Sequence, residues 1–151
     1  MVEIEKPITI EAEKTVREAI KLMKDKNLRA LIITKNGKFF GIVKERDLLL
    51  EKNINTKLDR VKRVFAYCET DDVYEIAKRM YESDSYLVAY VNAKKEVIGQ
   101  VYIDSLLEDI RKNFGEIRAF EIMSKPVIYI NPNDPISKAI KIMYKNGISH
   151  L

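Results

Sequence analysis

The sequence predicts an α/β (α+β) protein assembled from a repeated β-α-β-β-α unit, present twice in full and a third time as its β-α half. Three observations predict it. "VREAIKLMKDKNLRALII" (16–33), "VYEIAKRMYESDSYLVAY" (73–90) and "ISKAIKIMYKNGISHL" (136–151) align without a gap, with Met23, Met80 and Met143 in register. Each segment carries apolar residues at helical spacing, as in Val16, Ala19, Ile20 and Met23. After the first two segments, paired apolar runs flank turn-forming residues, the pattern of a hairpin. Self-similarity at a period of roughly 55–60 residues marks a repeat architecture.

Each element has its own local signal. In the first unit "PITI" (7–10) reads as a strand, and Thr15 with Glu18 forms a capping box that opens a helix. "LRALIIT" (28–34) and "KFFGIV" (38–43) flank Asn36-Gly37, a strong two-residue hairpin signal, and a second helix is expected near 45–53. The second unit repeats the order: strand "VFAY" (64–67), a helix opened by Asp72 with Glu75, "YLVAYV" and "EVIGQV" around Asn92–Lys95, and a helix near 103–113. The third supplies the strand "VIYI" (127–130) and a helix opened by Asp134, with Pro135 at its first position. Its apolar stripe, Ile136, Ile140 and Met143, needs cover that the half unit itself does not supply. The expected divisions are 1–56, 57–114 and 115–151.

Composition narrows the function classes. The chain has 151 residues, 46% apolar and 33% charged, which suits a globular protein with a real core. No apolar run approaches the roughly 20 residues of a membrane span, and residues 1–30 lack a signal-peptide core, so a cytoplasmic protein is expected. The net charge of +4 arises from interleaved acids and bases, which gives no argument for nucleic-acid binding. There is no Walker-type lysine loop and no G-x-G-x-x-G, so nucleotide turnover is not expected. Cys68 has no histidine near it in sequence, and the one histidine, His150, is the penultimate residue. Neither a Cys–His catalytic pair nor a zinc site is expected, nor any cofactor. Asp71-Asp72 falls at a helix start, where capping explains it. Tyr67, Tyr74, Tyr81, Tyr86, Tyr90 and Tyr102 read as core and interface residues.

"GIVKERDLL" (41–49) is the stretch with chemistry in it: a strand feeds the start of a helix through Lys44, Glu45, Arg46 and Asp47. Ligands of open α/β arrangements sit beyond the carboxyl ends of strands, and helix starts favour phosphates. A carboxylate such as Asp47 can accept two hydrogen bonds from a ribose diol, and Gly41 leaves room for a planar base to approach the backbone. The alternative is that Asp47 only complements the helix dipole, Lys44 and Arg46 are solvated, and Gly41 relieves packing. "KLDRVKR" (57–63) offers Arg60 and Arg63 either as part of a solvated linker or as a phosphate contact.

This recurring unit resembles the CBS domain, named for cystathionine β-synthase, which occurs as tandem pairs called Bateman modules. The resemblance rests on "KPITI" (6–10), "GIVKERDLL" (41–49), "SKPVIYINPNDPISKAIKIM" (124–143) and "GISHL" (147–151), in their order and threefold recurrence. It implies a regulatory module, not an enzyme, that binds an adenosine-containing ligand through a glycine, apolar, any residue, Ser/Thr, two residues, Asp motif. That motif maps onto Gly41 through Asp47. By this resemblance Asp47 holds the ribose hydroxyls, Ile8 and Val43 line the adenine slot, and Thr9, Leu28, Arg29, Ala30, Ile42 and Lys44 complete the site. Lys44 departs from the family's small hydroxyl residue; a lysine either reaches a phosphate as a point charge or crowds the pocket. The second copy gives a weaker site of Arg63, Phe65, Ser85, Tyr86 and Ser105, with Ser105 standing where Asp47 stood. Tyr102 and Phe65 form a bulky aromatic pair able to fill that cleft.

The resemblance thus implies a sensor of AMP, ADP, ATP, S-adenosylmethionine or methylthioadenosine, paired as a homodimer and read by an enzyme or transporter. The rival expectation is an interaction module with degenerate nucleotide sites. Asp47 favours the first; Lys44 and Ser105 favour the second.

Overall fold

A near-continuous apolar run such as Ala30–Ile33 calls for a strand covered on both faces. The computed structural model, which describes residues 2–114, 126–148 and 150–151, provides that cover. The chain divides into two compact units, Met1–Asn113 and Phe114–Leu151, the first holding both complete repeats.

In the first repeat β1 (Thr9–Glu11), α1 (Val16–Lys26), β2 (Ala30–Lys35), β3 (Lys38–Lys44) and α2 (Glu45–Leu49) follow in order. The second runs β4 (Tyr67–Cys68), α3 (Val73–Ser83), β5 (Leu87–Val91), β6 (Val97–Tyr102) and α4 (Ile103–Phe114). Each repeat builds its own three-stranded sheet, β1-β2-β3 and β4-β5-β6, parallel across the first pair and antiparallel across the second. Asn36 (φ 52°) and Gly37 (φ 76°) are both left-handed, as the tight primed turn between β2 and β3 demands.

The helix starts follow their sequence signals. The Thr15 hydroxyl accepts from Glu18 N–H, and the Glu18 carboxylate accepts from Thr15 N–H at 2.8 Å, a complete capping box. The Thr15 N–H, then Lys14, holds the Glu18 carboxyl down at about 2. At α3 only half of the expected box is made: Asp72 accepts from Glu75 N–H at 2.9 Å, and Glu75 returns nothing. Both helices end on a left-handed cap, Asn27 (φ 52°) and Asp84 (φ 47°).

Two cores result, and β2 serves both. Leu31 and Ile33 join Val16, Ala19, Met23 and Val43 in one; Ala30, Ile32 and Ile42 join Ile76, Met80, Leu87 and Val101 in the other. The repeats also cross over. The segment before β4 bridges Val64 to Ile42, and the segment before β1 bridges Glu5 to Gln100, so each repeat's approach segment pairs with the other repeat's last strand.

Several boundaries depart from expectation. The first strands lie later, at Thr9–Glu11 and Tyr67–Cys68, because residues such as Val64 are engaged in the crossover. Helix α2 stops at Leu49, well short of residue 53: Leu50 is 80% exposed, and Asn53 Oδ1 accepts from Asn55 N–H to close a turn. In the second unit, residues 127–130 form no strand. Elsewhere the first strand of a repeat is held by the second, and the described residues of this unit offer no such partner. Helix α5 (Ile136–Asn146) begins after Pro135, which is its cap and not its first residue, and Asp134 accepts from Asn131 N–H and from Lys138. Of the tyrosines, Tyr67, Tyr90 and Tyr102 pack on the core, whereas Tyr74, Tyr81 and Tyr86 are exposed.

Candidate functional site

The end of β3 and the start of β2 lie side by side because the two strands are antiparallel. Ala30 is opposite Lys44, Leu31 is opposite Val43, and Glu45 N–H donates to the Arg29 carbonyl at 2.9 Å. The second repeat makes the same closure, Ile103 N–H to the Tyr86 carbonyl at 2.9 Å. Residues 28–30 and 43–47, separated in sequence, thus form one corner of the molecule.

Within that corner the side chains divide. Ile42 and Val43 are fully buried in opposite cores, and the Ile42 backbone is paired with Val64, so neither lines an open adenine slot as expected. Ala30 is buried, Leu28 half-buried and Arg29 exposed. Ile8 is half-buried, its N–H donating to Gln100 Oε1 at 2.9 Å, and Thr9 beside it is exposed. Asp47 is half-buried on α2, and its carboxylate has no hydrogen-bond partner among the described residues. It is available as an acceptor.

Lys44 is the buried cation of the site. Its ammonium donates to the backbone carbonyl and to Oδ2 of Asp84, both at 3.0 Å, across the seam between the repeats. Arg46 reaches the same carboxylate oxygen at 2.6 Å. The Lys44 hydrogen bond, then Arg46, holds the Asp84 carboxyl below the usual carboxylate range against a smaller opposing effect of burial. A cavity of about 140 Å³ lies at this seam, lined by Arg29, Ala30, Lys44, Glu45 and Arg46 from one repeat and Asp84 and Tyr86 from the other. Sequence reasoning missed Asp84. The available signal was its place at the left-handed cap of α3, where α1 has Asn27, combined with a lysine in need of a counter-charge.

Gly41 follows the packing alternative and not the one that leaves room for a base. The space above it is not open to a base: a Cβ there would meet Arg63 Cβ and Cδ at 3.0 Å. Arg63 in turn donates to the carbonyls of Leu58, Asp59 and Val61 and lies over the Phe40 ring at 4.3 Å. Gly99 is the counterpart, with the Ile4 side chain pressed onto it. Both glycines seat the crossover segments.

The weaker site does not assemble around its expected residues. Ser105 Oγ donates to Glu5 at 2.8 Å, and Ser85 Oγ donates to the Leu87 carbonyl at 2.7 Å. Phe65 is 63% exposed and fills no cleft, while Tyr102 turns inward and donates to the Ala30 carbonyl at 3.3 Å. Tyr86 joins the seam cavity of the first site instead. The hollow beside Ser105 is lined by Glu3, Asp104, Glu108, Asp109 and Lys112, four carboxylates and one ammonium.

The CBS domain family model matches residues 2–53 and 119–151. A protein of Methanocaldococcus jannaschii is 26% identical over 151 residues, covering 95% of this chain and 36% of that protein. The chain spans only 36% and 43% of the lengths of two curated relatives that it matches. Among solved structures, a CBS domain pair/ACT domain protein of Thermotoga maritima superposes with a TM-score of 0.62 and 22% identity, covering 76% of this chain and 95% of that one. The cytosolic domain of the Mg2+ channel MgtE in complex with ATP gives 0.59 and 20%, covering 68% of this chain and 44% of that one.

Proposed function

The chain belongs to the CBS domain family, and from that premise we propose that it is a non-catalytic regulatory module sensing an adenine nucleotide or adenosyl compound. The observation that carries this is the seam between the repeats, where the end of "GIVKERD" meets a cavity walled by both repeats and edged by Arg29, Lys44 and Arg46. Asp47 stands one turn further on, with neither oxygen claimed among the described residues. The likeness to the MgtE domain, which holds ATP, supports the same ligand class. Sensing works by differential binding: a ligand bridging the two repeats shifts the module toward one geometry, which a partner enzyme or transporter reads. Pairing as a cytoplasmic homodimer belongs to the same proposal. Two closures favour a second reading, an interaction module without ligand: Lys44 on Asp84 and Ser105 on Glu5.

A thermal-shift panel with AMP, ADP, ATP, S-adenosylmethionine and methylthioadenosine separates the two. A ligand at 100 times its dissociation constant adds about 2.7 kcal/mol of stability. No shift with any of the five favours the second reading.

A further inference from the structure

The charges around the seam cavity are arranged unequally. Three cations, Arg29, Lys44 and Arg46, and one tyrosine, Tyr86, share it with two carboxylates, Glu45 and Asp84, of which Asp84 is the one that pairs with Lys44 and Arg46. The Lys44 side chain is only 9% exposed, whereas that of Asp84 is 72% exposed. The buried partner of this pair is therefore the cation, and the carboxylate reaches it from the solvent side. An ammonium has three N–H donors, and Lys44 uses two, one on the Asp84 main chain and one on its carboxylate. The third has no taker among the described residues, and Arg46 commits a single nitrogen. A buried cation tolerates exchange of its counter-charge far better than loss of it. The main-chain bond to Asp84 survives such an exchange, so Lys44 stays anchored while its anion changes. The volume of about 140 Å³ is well below the roughly 300–1,000 Å³ of a pocket for a whole drug-sized ligand, and it suits one small anionic group.

We propose that Asp84 is a resident counter-anion which an incoming phosphate group displaces from Lys44 and Arg46, so that ligand binding and release of this inter-repeat clasp are one event. The ligand class rests on the function proposed above; the displacement does not, because it concerns the anion alone. A phosphate supplies more acceptors than the carboxylate, and it takes up the idle donors of Lys44 and Arg46. Asp84 left in place repels it. The clasp thus sets the affinity of the site and reports its occupancy to the second repeat through the end of α3.

The test uses inorganic pyrophosphate as the probe, titrated calorimetrically at fixed ionic strength into the wild type, Asp84→Asn and Lys44→Met. Asparagine is already the left-handed cap at the equivalent position of α1, so Asp84→Asn keeps the backbone. Removing the competing charge tightens pyrophosphate binding by roughly three- to tenfold, and Lys44→Met weakens it by at least that factor. Detectable binding in Asp84→Asn alone also supports the displacement. Equal or weaker binding in Asp84→Asn, binding indifferent to Lys44, or no binding in any variant overturns it. ATP titrated into Asp47→Ala keeps the two ideas apart. Tightening by Asp84→Asn with no Asp47 effect retains the displacement and removes the nucleotide reading. An Asp47 effect with no Asp84 effect does the reverse.

Discussion

Gly41 lies directly beneath Arg63, whose Cβ and Cδ would stand 3.0 Å from any Cβ placed there. Its φ of 142° is one that side-chain-bearing residues rarely adopt. Arg63 spans three carbonyls at the end of the inter-repeat linker, so the glycine holds the path by which the second repeat crosses to β3. Gly41→Ala is expected to cost about 1–3 kcal/mol, from backbone strain together with displacement of Arg63. Urea unfolding of the variant checks this; a loss below 0.5 kcal/mol (about the noise of a surface change) contradicts it.

The Asp84 clasp predicts a particular acid response. Its carboxyl is held below its ordinary value in the folded protein, so its contribution is fully present above the unfolded value, about 3.9. That contribution is lost as pH falls through the folded value. Asp84→Asn is therefore expected to lower Tm slightly and by a constant amount between pH 5 and 8, with the gap closing below about pH 4. Other carboxylates titrate in the same range, so the difference between the two proteins is the quantity to follow.

Periodicity was enough for the repeats, because a helix that buries Val16, Ala19 and Met23 must show them at helical spacing. The hairpins were equally legible, since Asn36-Gly37 permits few other conformations. The site was legible only at the level of the corner. "GIVKERD" announces a strand-to-helix junction, but nothing local reveals that Lys44 reaches a residue forty positions away or that Arg63 fills the space over Gly41. Those contacts depend on how two repeats cross, a non-local property. The strand expected at residues 127–130 failed for a related reason: a strand exists only with its partner, and apolar alternation does not supply one.

Cys68 is expected to be inert in the folded state. Burial pushes its thiol up to about 11, against smaller opposing effects of the Thr70 backbone and Arg79, so it stays protonated at pH 8. Tyr102 behaves alike, pushed up to about 12 by burial and then by Glu5. Both groups favour folding while protonated, a contribution present below their ordinary values and lost as pH rises through the shifted ones. Thiol labelling at pH 8 should be much slower in buffer than in denaturant. Equal rates contradict the buried placement.

Helix α5 carries an uncovered stripe: Ile136 is 79% exposed, Ile140 57% and Tyr144 90%. At the aligned positions of α1, Val16 is buried and Ile20 half-buried, whereas Lys24, aligned with Tyr144, is exposed. Covering such a side chain is worth roughly 1.5–3 kcal/mol, so the stripe should drive association. Light scattering of the full chain is expected to show self-association that Ile136→Lys with Ile140→Lys weakens by at least tenfold. Unchanged association places the contact on the first unit instead.

In the proposed function the junction in the first repeat binds an adenosine-containing ligand and its counterpart in the second does not. Isothermal titration of ATP and AMP into the wild type, Asp47→Ala and Ser105→Ala tests it most directly. Saturable binding is expected, which Asp47→Ala weakens ten- to a hundredfold, about 1.5–3 kcal/mol, and Ser105→Ala leaves within twofold. Equal losses in the two variants, or wild-type binding indifferent to Asp47, would contradict it.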